Sequence, residues 1–435
     1  MSYQNETRTK YINSNHINSP NILNEYGTLA NFLKIVLVQG FNEKNVLSIE
    51  FAENILKLTL PINHGYRKDQ VISISGATQE VLNKEYRVLK HTTETIEIIA
   101  PDNLSEDFST LTEIVIKVAP LGYSIVFEDL AEGVVCFKNK SLKSPGILKV
   151  IDKLPPNGYK DTWAKYARIV IGQDIDSMGN FIDDVKAPYH PSYPNSEMTG
   201  DGVEGEAGVH GFAKWEYSTY PANYDMAEYR AANGVFPTDW RIIGDDKTFY
   251  LMIRSMGRGR YNYGLIGFGN YVSFNELETY NICLQAKDGF MRANENNSYA
   301  PARSRAFFGS LNTAYAGFIL KNIHGDSRVN YNRYTNISNY FGNSNKNRPW
   351  HSTEVQSINP VTGRWLTGLL YIKDADNFLR GYHRGVQILY GTERSPEESI
   401  DNQGNITLYV QDPVHAASYT NIPMLFSLKN WENIL

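Results

Sequence analysis

His64–Ile99 reads HGYRKDQVISISGATQEVLNKEYRVLKHTTETIEII. Gln70–Ser75 alternates apolar and polar side chains, the period of a half-buried strand. Gly76 and Ala77 end that alternation. It resumes over Glu85–Lys90 and again over Glu94–Ile99, with His91-Thr92-Thr93 as the turn between them. The stretch therefore predicts a small β-meander with one apolar face. It contains no pattern of nucleophile, base or ligand residues.

The strands continue on either side. Glu25–Gln39 is the one helical segment in the first third: Leu29, Phe32, Leu33, Val36 and Leu37 fall at helical spacing, and Gly40 stands at the stop position. Val46–Phe51, Asn54–Leu60, Glu113–Val118, Tyr123–Glu128 and Gly133–Lys138 read as strands, with 101–110 a polar loop. Farther along, strand patterns fall at Ile147–Ile151, Tyr166–Ile171, Trp240–Ile243, Thr248–Arg254 and Leu265–Phe268. Later ones are Arg303–Phe308, Tyr315–Asn322, Arg364–Ile372, Gly385–Tyr390, Ile406–Val410 and Met424–Lys429. The expected fold is mainly β: a small N-terminal β-module with one helix, then a larger β-sandwich-like body with long loops.

Residues 1–21, polar and Asn-rich, read as an extended arm, by default a frayed tail and in a ring or shell protein a segment that lies on a neighbour. The module is assigned to 22–135 and the body to 136–435. Residues 173–239 hold five of the chain's prolines and a GDGVEGEAG run. They read as a long insertion gripping a partner.

The totals narrow the function classes. At 42% hydrophobic and 20% charged residues, a packed core is expected. A formal net charge of −5, with both signs dispersed, leaves no basic footprint for nucleic acid and no polybasic segment for a membrane. The first fifteen residues lack an apolar signal region, and no apolar run reaches spanning length, so synthesis in a cytoplasm is expected. The 29 Tyr, 19 Phe and 6 Trp favour strands and subunit interfaces. Cys136 and Cys283 sit in apolar runs and read as small buried hydrophobes, without a disulfide framework or a thiolate zinc site.

Several segments bear on chemistry. Asp174-x-Asp176-x-Met178-Gly179-Asn180 begins like a calcium loop but lacks the third ligand before the glycine, and Val185 stands where the closing Glu belongs. It reads as an Asx-rich turn, while Asp183 and Asp184 leave a non-standard site open. The glycine-rich segments 257–260 and 264–269 have neither dinucleotide spacing nor a following helix, so they read as turns and close backbone contacts. His190, His210, His351, His383 and His415 are scattered through loop-like sequence. No Gly-x-Ser-x-Gly elbow is present. Trp215, Tyr217 and Tyr220 are the aromatics placed to stack on sugars if exposed, with burial as the plainer reading. No catalytic, cofactor-binding or metal-ligating residue is assigned. Asp245 and Asp246 read as an equivalent pair of turn residues beside Phe249, an expected core aromatic.

The residues His64, Gly65, Tyr66, Asp69, Val71, Ile72, Ile74, Gly76, Ala77, Leu82, Asn83, Tyr86, Val88, Thr92 and Thr95 form a pattern that resembles a small β-module of virion proteins from tailed bacteriophages. Trp240, Ile242, Gly244, Asp245, Phe249, Tyr250, Phe268 and Gly269 look like the body of the same family. Leu379, Arg380, Gly381, Tyr382, His383 and Gly385 resemble its ending. The similarity is weak over 173–235 and 285–360. The resemblance implies a non-enzymatic structural protein of the virion, in the neck or collar of the head-to-tail connection or at the baseplate. Its partners would be copies of itself in a symmetric homo-oligomer and other neck or tail proteins, without nucleic acid, membrane or cofactor. The alternatives are a host-surface binding protein that holds glycans and, third, a polysaccharide depolymerase.

Overall fold

In the computed structural model, which describes residues 3–105, 113–154, 165–182, 185–187, 213–217, 237–254, 263–288, 318–320, 367–373, 379–389, 400–411 and 421–431, the stretch 64–99 contributes strands to two different sheets. Val71–Ser75 lies between Glu85–Arg87 and Val115–Val118, with Phe41–Asn45 outside the latter. Thr95–Ile99 lies between Ile55–Thr59 and Lys90–His91, with Ser48–Ala52 beyond. The expected single strand Glu85–Lys90 is thus broken in two. The Val88 N–H donates to the Gln70 carbonyl at 2.8 Å, and the next N–H, of Leu89, donates to the Glu97 carbonyl at 2.8 Å. Consecutive residues serve different ladders, so the chain changes sheet there. Ile72, Ile74, Ile116 and Val118 of one sheet meet Leu56, Leu58, Ile96 and Ile98 of the other in a shared core. Gly76 turns the chain with φ +79°, and a Cβ there would lie 2.1 Å from the Glu113 carbonyl oxygen. Only glycine satisfies both conditions.

The helix is shorter than its periodicity. It runs Thr28–Lys34 and widens into a π-turn over Ile35–Gln39. Gly27 at φ +86° is left-handed and sets the later start. Gly40, at φ +77°, ends the segment as expected. Among the described residues the remaining regular structure is strand apart from two short 3-10 turns, so the mainly β expectation holds.

The body stacks three antiparallel sheets. The outer sheet runs Ser124–Asp129, Val134–Lys138, Ile147–Ile151, Tyr166–Gly172, Ala213–Glu216, Lys287–Asp288, with Lys186–Ala187 alongside. The central sheet runs Lys10–Asn13, Trp240–Gly244, Thr248–Arg254, Tyr263–Asn270, Ile282–Gln285, Phe318–Ile319. The terminal sheet runs Val272–Ser273, Leu379–Leu389, Asn421–Ser427, Asn405–Gln411, with Thr367–Lys373 beside Leu379–Leu389. The central strand Thr248–Arg254 explains the stacking. Phe249, Leu251 and Ile253 enter the core shared with the outer sheet, whereas Tyr250 and Met252 enter the core shared with the terminal sheet. A strand covered on both faces needs an unbroken apolar run, and Phe249–Ile253 is one.

Three expectations about organisation change. The N-terminal arm docks on its own chain: Lys10–Asn13 pairs antiparallel with Trp240–Gly244 and completes the edge of the central sheet. Backbone pairing needs little apolar periodicity, so the polar sequence hid it. The boundary at 135/136 falls inside the strand Val134–Lys138, which pairs on both sides within the outer sheet. The last module strand is Val115–Val118, and residues 119–123 make the crossing. The insertion 173–239 is not loop throughout, because Ala213–Glu216 is an interior strand of the outer sheet. Residues 188–212 and 218–236 lie outside the described residues, as do the expected strand Arg303–Phe308 and the polar segment 330–348.

Module and body share one core. Phe32 of the helix meets Trp240 edge-to-face at 4.6 Å between centroids. The helix N-terminus is capped from the body: the Asp152 carboxylate accepts the Ala30 N–H at 3.0 Å and the Tyr217 hydroxyl at 2.6 Å. Gly27 at the N-cap has no side chain to do this, so the carboxylate supplies the missing acceptor beside the positive end of the helix.

Candidate functional site

The calcium-like loop is closed by its own backbone. Asp176 Oδ1 accepts the N–H groups of Met178 at 2.8 Å and Asn180 at 2.9 Å, the Asx turn that the sequence predicts. The Lys149 ammonium donates to the Gly179 carbonyl at 2.8 Å, placing a buried positive charge under the loop. Asp183 and Asp184 lie outside the described residues. Among the described residues no group of three or more His, Cys, Asp or Glu comes together as a metal requires.

The tertiary structure does bring a cysteine and a histidine near one another. Gln285 Nε2 lies 3.5 Å from Cys283 Sγ and 3.2 Å from His383 Nδ1, all buried between the central and terminal sheets. Burial pushes the Cys283 thiol up to about 12 and the His383 imidazole down to about 3. A working thiolate–imidazolium pair needs shifts in the opposite directions. Burial thus favours the neutral form of both groups. Cys136 is likewise buried, with its thiol pushed up to about 12 by burial. His190, His210, His351 and His415 lie outside the described residues.

Two of the three aromatics considered for sugar stacking are interior. Trp215 is fully buried and donates its indole N–H to the Gln285 carbonyl at 2.8 Å. Tyr217 is fully buried against Asp152. Tyr220 lies outside the described residues. Of the glycine-rich segments, 264–269 is a strand interior, where Gly267 and Gly269 let neighbouring backbone approach; 257–260 is outside the described residues.

The residues that carry the resemblance do structural work. The Asn83 side chain clasps Ala77 through both its N–H and its carbonyl, at 2.9 and 2.8 Å. Thr92 Oγ1 accepts the Thr95 and Glu94 N–H groups and closes the hairpin. His64 Nδ1 accepts the Tyr66 N–H at 3.0 Å, and Tyr66 reaches the Asn42 and Ile116 carbonyls with its hydroxyl. Phe249 lies among Tyr123, Trp215 and Phe268.

Two buried charged locks complete the arrangement, and sequence reasoning did not single out their arginines as partners. Arg384, on the terminal strand Leu379–Leu389, pairs with Asp245 in the turn of the central sheet at 3.1 Å, both side chains under a tenth exposed. Asp245 Oδ1 also accepts the Lys247 and Thr248 N–H groups, and Tyr250 donates its hydroxyl to the Arg384 carbonyl at 2.9 Å. Arg87 joins three regions. Its guanidinium donates to the carbonyls of Glu6 and Thr9 at 2.8 Å and of Asp69 at 2.7 Å, and reaches Leu428 at 3.5 Å. Tyr3 donates to the Asp69 carboxylate at 3.0 Å. No local signal marked the two arginines, since both strands carry other charged or polar residues and a buried guanidinium draws its acceptors from distant segments.

Compared with known proteins, the chain matches no family model and none of the curated proteins. No helix of the described residues is long and apolar enough to cross a membrane.

Proposed function

We propose that this chain is a structural component of a tailed-bacteriophage virion, positioned in the neck or collar of the head-to-tail connection and working by oligomeric assembly. The observation that carries the proposal is the use made of the motif residues. Those described above act as hairpin closure, turn clasp, core aromatic or inter-sheet lock. A scaffold of three stacked sheets, with Lys10–Asn13 and Asn421–Ser427 both paired into it, suits a part that transmits load between neighbours. The baseplate glycan-binding alternative loses two of its three named aromatics to the interior.

The test is a map of the assembled particle in which this protein carries a label. The expected result is a symmetric ring of copies at the head-to-tail connection. Label at the distal tail alone favours the receptor-binding alternative, and absence from the particle overturns the virion reading. Incubation of the isolated protein with host polysaccharide is expected to leave chain length unchanged.

A further inference from the structure

Three exposed large apolar side chains stand on two loops of the body. Leu142 is 99% exposed and Leu277 87%, with Phe274 also exposed. Their loops are tied together. Ser144 Oγ donates to the Thr279 carbonyl at 2.6 Å, and Asn270 Nδ2 donates to the Ser144 carbonyl at 2.9 Å. The Phe274 N–H donates to the Arg380 carbonyl at 2.9 Å, and the Phe274 ring centroid lies 6.0 Å from that of Tyr382. Each leucine stands two residues from its end of the Ser144–Thr279 bond, so chain reach keeps the two within about 20 Å.

The tips are held in shape. Asn139 Oδ1 accepts the Gly146 N–H at 2.8 Å across the first loop. Asn275 Oδ1 accepts the Leu277 N–H at 3.0 Å in the second, and Arg380 pairs with Glu278 beneath it. Fully exposed leucines on braced loops lose little freedom on docking.

The charges on the tips are opposite. Lys140 and Lys143, both exposed, flank Leu142. Glu276, exposed, precedes Leu277, while Glu278 is neutralised by Arg380. A patch that carries an apolar-basic tip beside an apolar-acidic tip is complementary to itself after a two-fold rotation, as an isologous interface requires.

We propose that this patch is a contact between two copies of the chain, the Leu142 tip of each seated against the Leu277 tip of the other. The occupant is a second copy because the same surface supplies both halves of the charge match. The inference rests on the assembly reading above and names one contact, which pairs copies; closing a ring takes a separate head-to-tail face.

The experiment is sedimentation velocity on the full chain over a concentration series, at low and high salt. Dimer is expected for the wild type, weakened by salt. L142D is expected to weaken it at least about tenfold by burying an unpaired carboxylate against the partner copy's acidic tip. K143E and E276K are each expected to weaken it about twofold to fivefold, and the K143E/E276K double variant to recover it. Leu142 and Leu277 have almost no burial to lose, so an unchanged thermal midpoint controls for folding. Dimer or larger oligomer unaffected by L142D and L277D overturns this surface while leaving assembly by another face intact. A wild type monomeric at every concentration also overturns it, even if L277D fails to enter particles, because the occupant is then a different virion protein. Particle labelling tests the assembly reading independently.

Discussion

Asp245→Ala and Asp246→Ala separate what local sequence cannot. In the turn Gly244–Lys247 the two aspartates are neighbours of identical chemistry. In the structure Asp245 is 3% exposed and pairs with Arg384 at 3.1 Å, while Asp246 is half-buried. Removing Asp245 leaves the Arg384 guanidinium in the seam between the central and terminal sheets with its carboxylate partner gone. Breaking a buried pair on one side costs about 3–5 kcal/mol. The N–H groups of Lys247 and Thr248 also lose their acceptor, and each such buried loss costs about 1–3 kcal/mol where water does not replace it. These contributions overlap, so the expected total is about 4 kcal/mol. Asp246→Ala is expected to stay within about 0.5 kcal/mol of the wild type. Urea unfolding followed by tryptophan fluorescence measures both. A double variant, Asp245→Asn with Arg384→Met, is expected to recover part of the loss because it removes both charges together. If Asp245→Ala unfolds within about 1 kcal/mol of the wild type, the ion pair is not a lock and the argument for the seam fails.

Arg87→Met removes the donor shared by the Glu6, Thr9 and Asp69 carbonyls and should destabilise by about 3 kcal/mol; limited proteolysis should then cut within residues 3–13 before the body. Arg87→Lys should not restore protection, because one ammonium lacks the planar fork that spans these acceptors. Asp152→Ala takes away the helix cap and the Tyr217 acceptor together, with an expected cost of about 2–4 kcal/mol read by chemical unfolding. For pH, His16 is lowered to about 4 by burial and then by Arg67, and His383 to about 3 by burial. The unfolded chain therefore binds protons that the folded chain refuses, so stability falls as pH drops below about 6.5, by about 1.4 kcal/mol per unit for each group until its folded pKa is reached. Burial raises the Asp152 carboxyl and works in the opposite sense, so the measurement is the difference between wild type and His16→Gln, whose pH slope should be shallower.

The sequence by itself determined the local elements. Alternation placed Val71–Ser75 and Thr95–Ile99, and the strand Thr248–Arg254 was legible too, although its burial on both faces was not. Gly40 ended the helical segment where glycine was expected to end it. Each of these depends on neighbours within a few residues, whose steric and solvation preferences act before any long-range contact forms. The tertiary structure alone decided which sheet each strand joined, as at Val88 and Leu89. It also decided that the polar arm would complete the central sheet, and that the outer sheet would run through the supposed domain boundary. It distinguished Asp245 from Asp246, gave Asp152 its helix to cap, and buried Trp215 and Tyr217. Arg384 lies 139 residues from Asp245, and Asp152 lies 122 from Ala30. The partner of a buried polar group is chosen by which surfaces close over it, and that choice appears only when distant segments have packed.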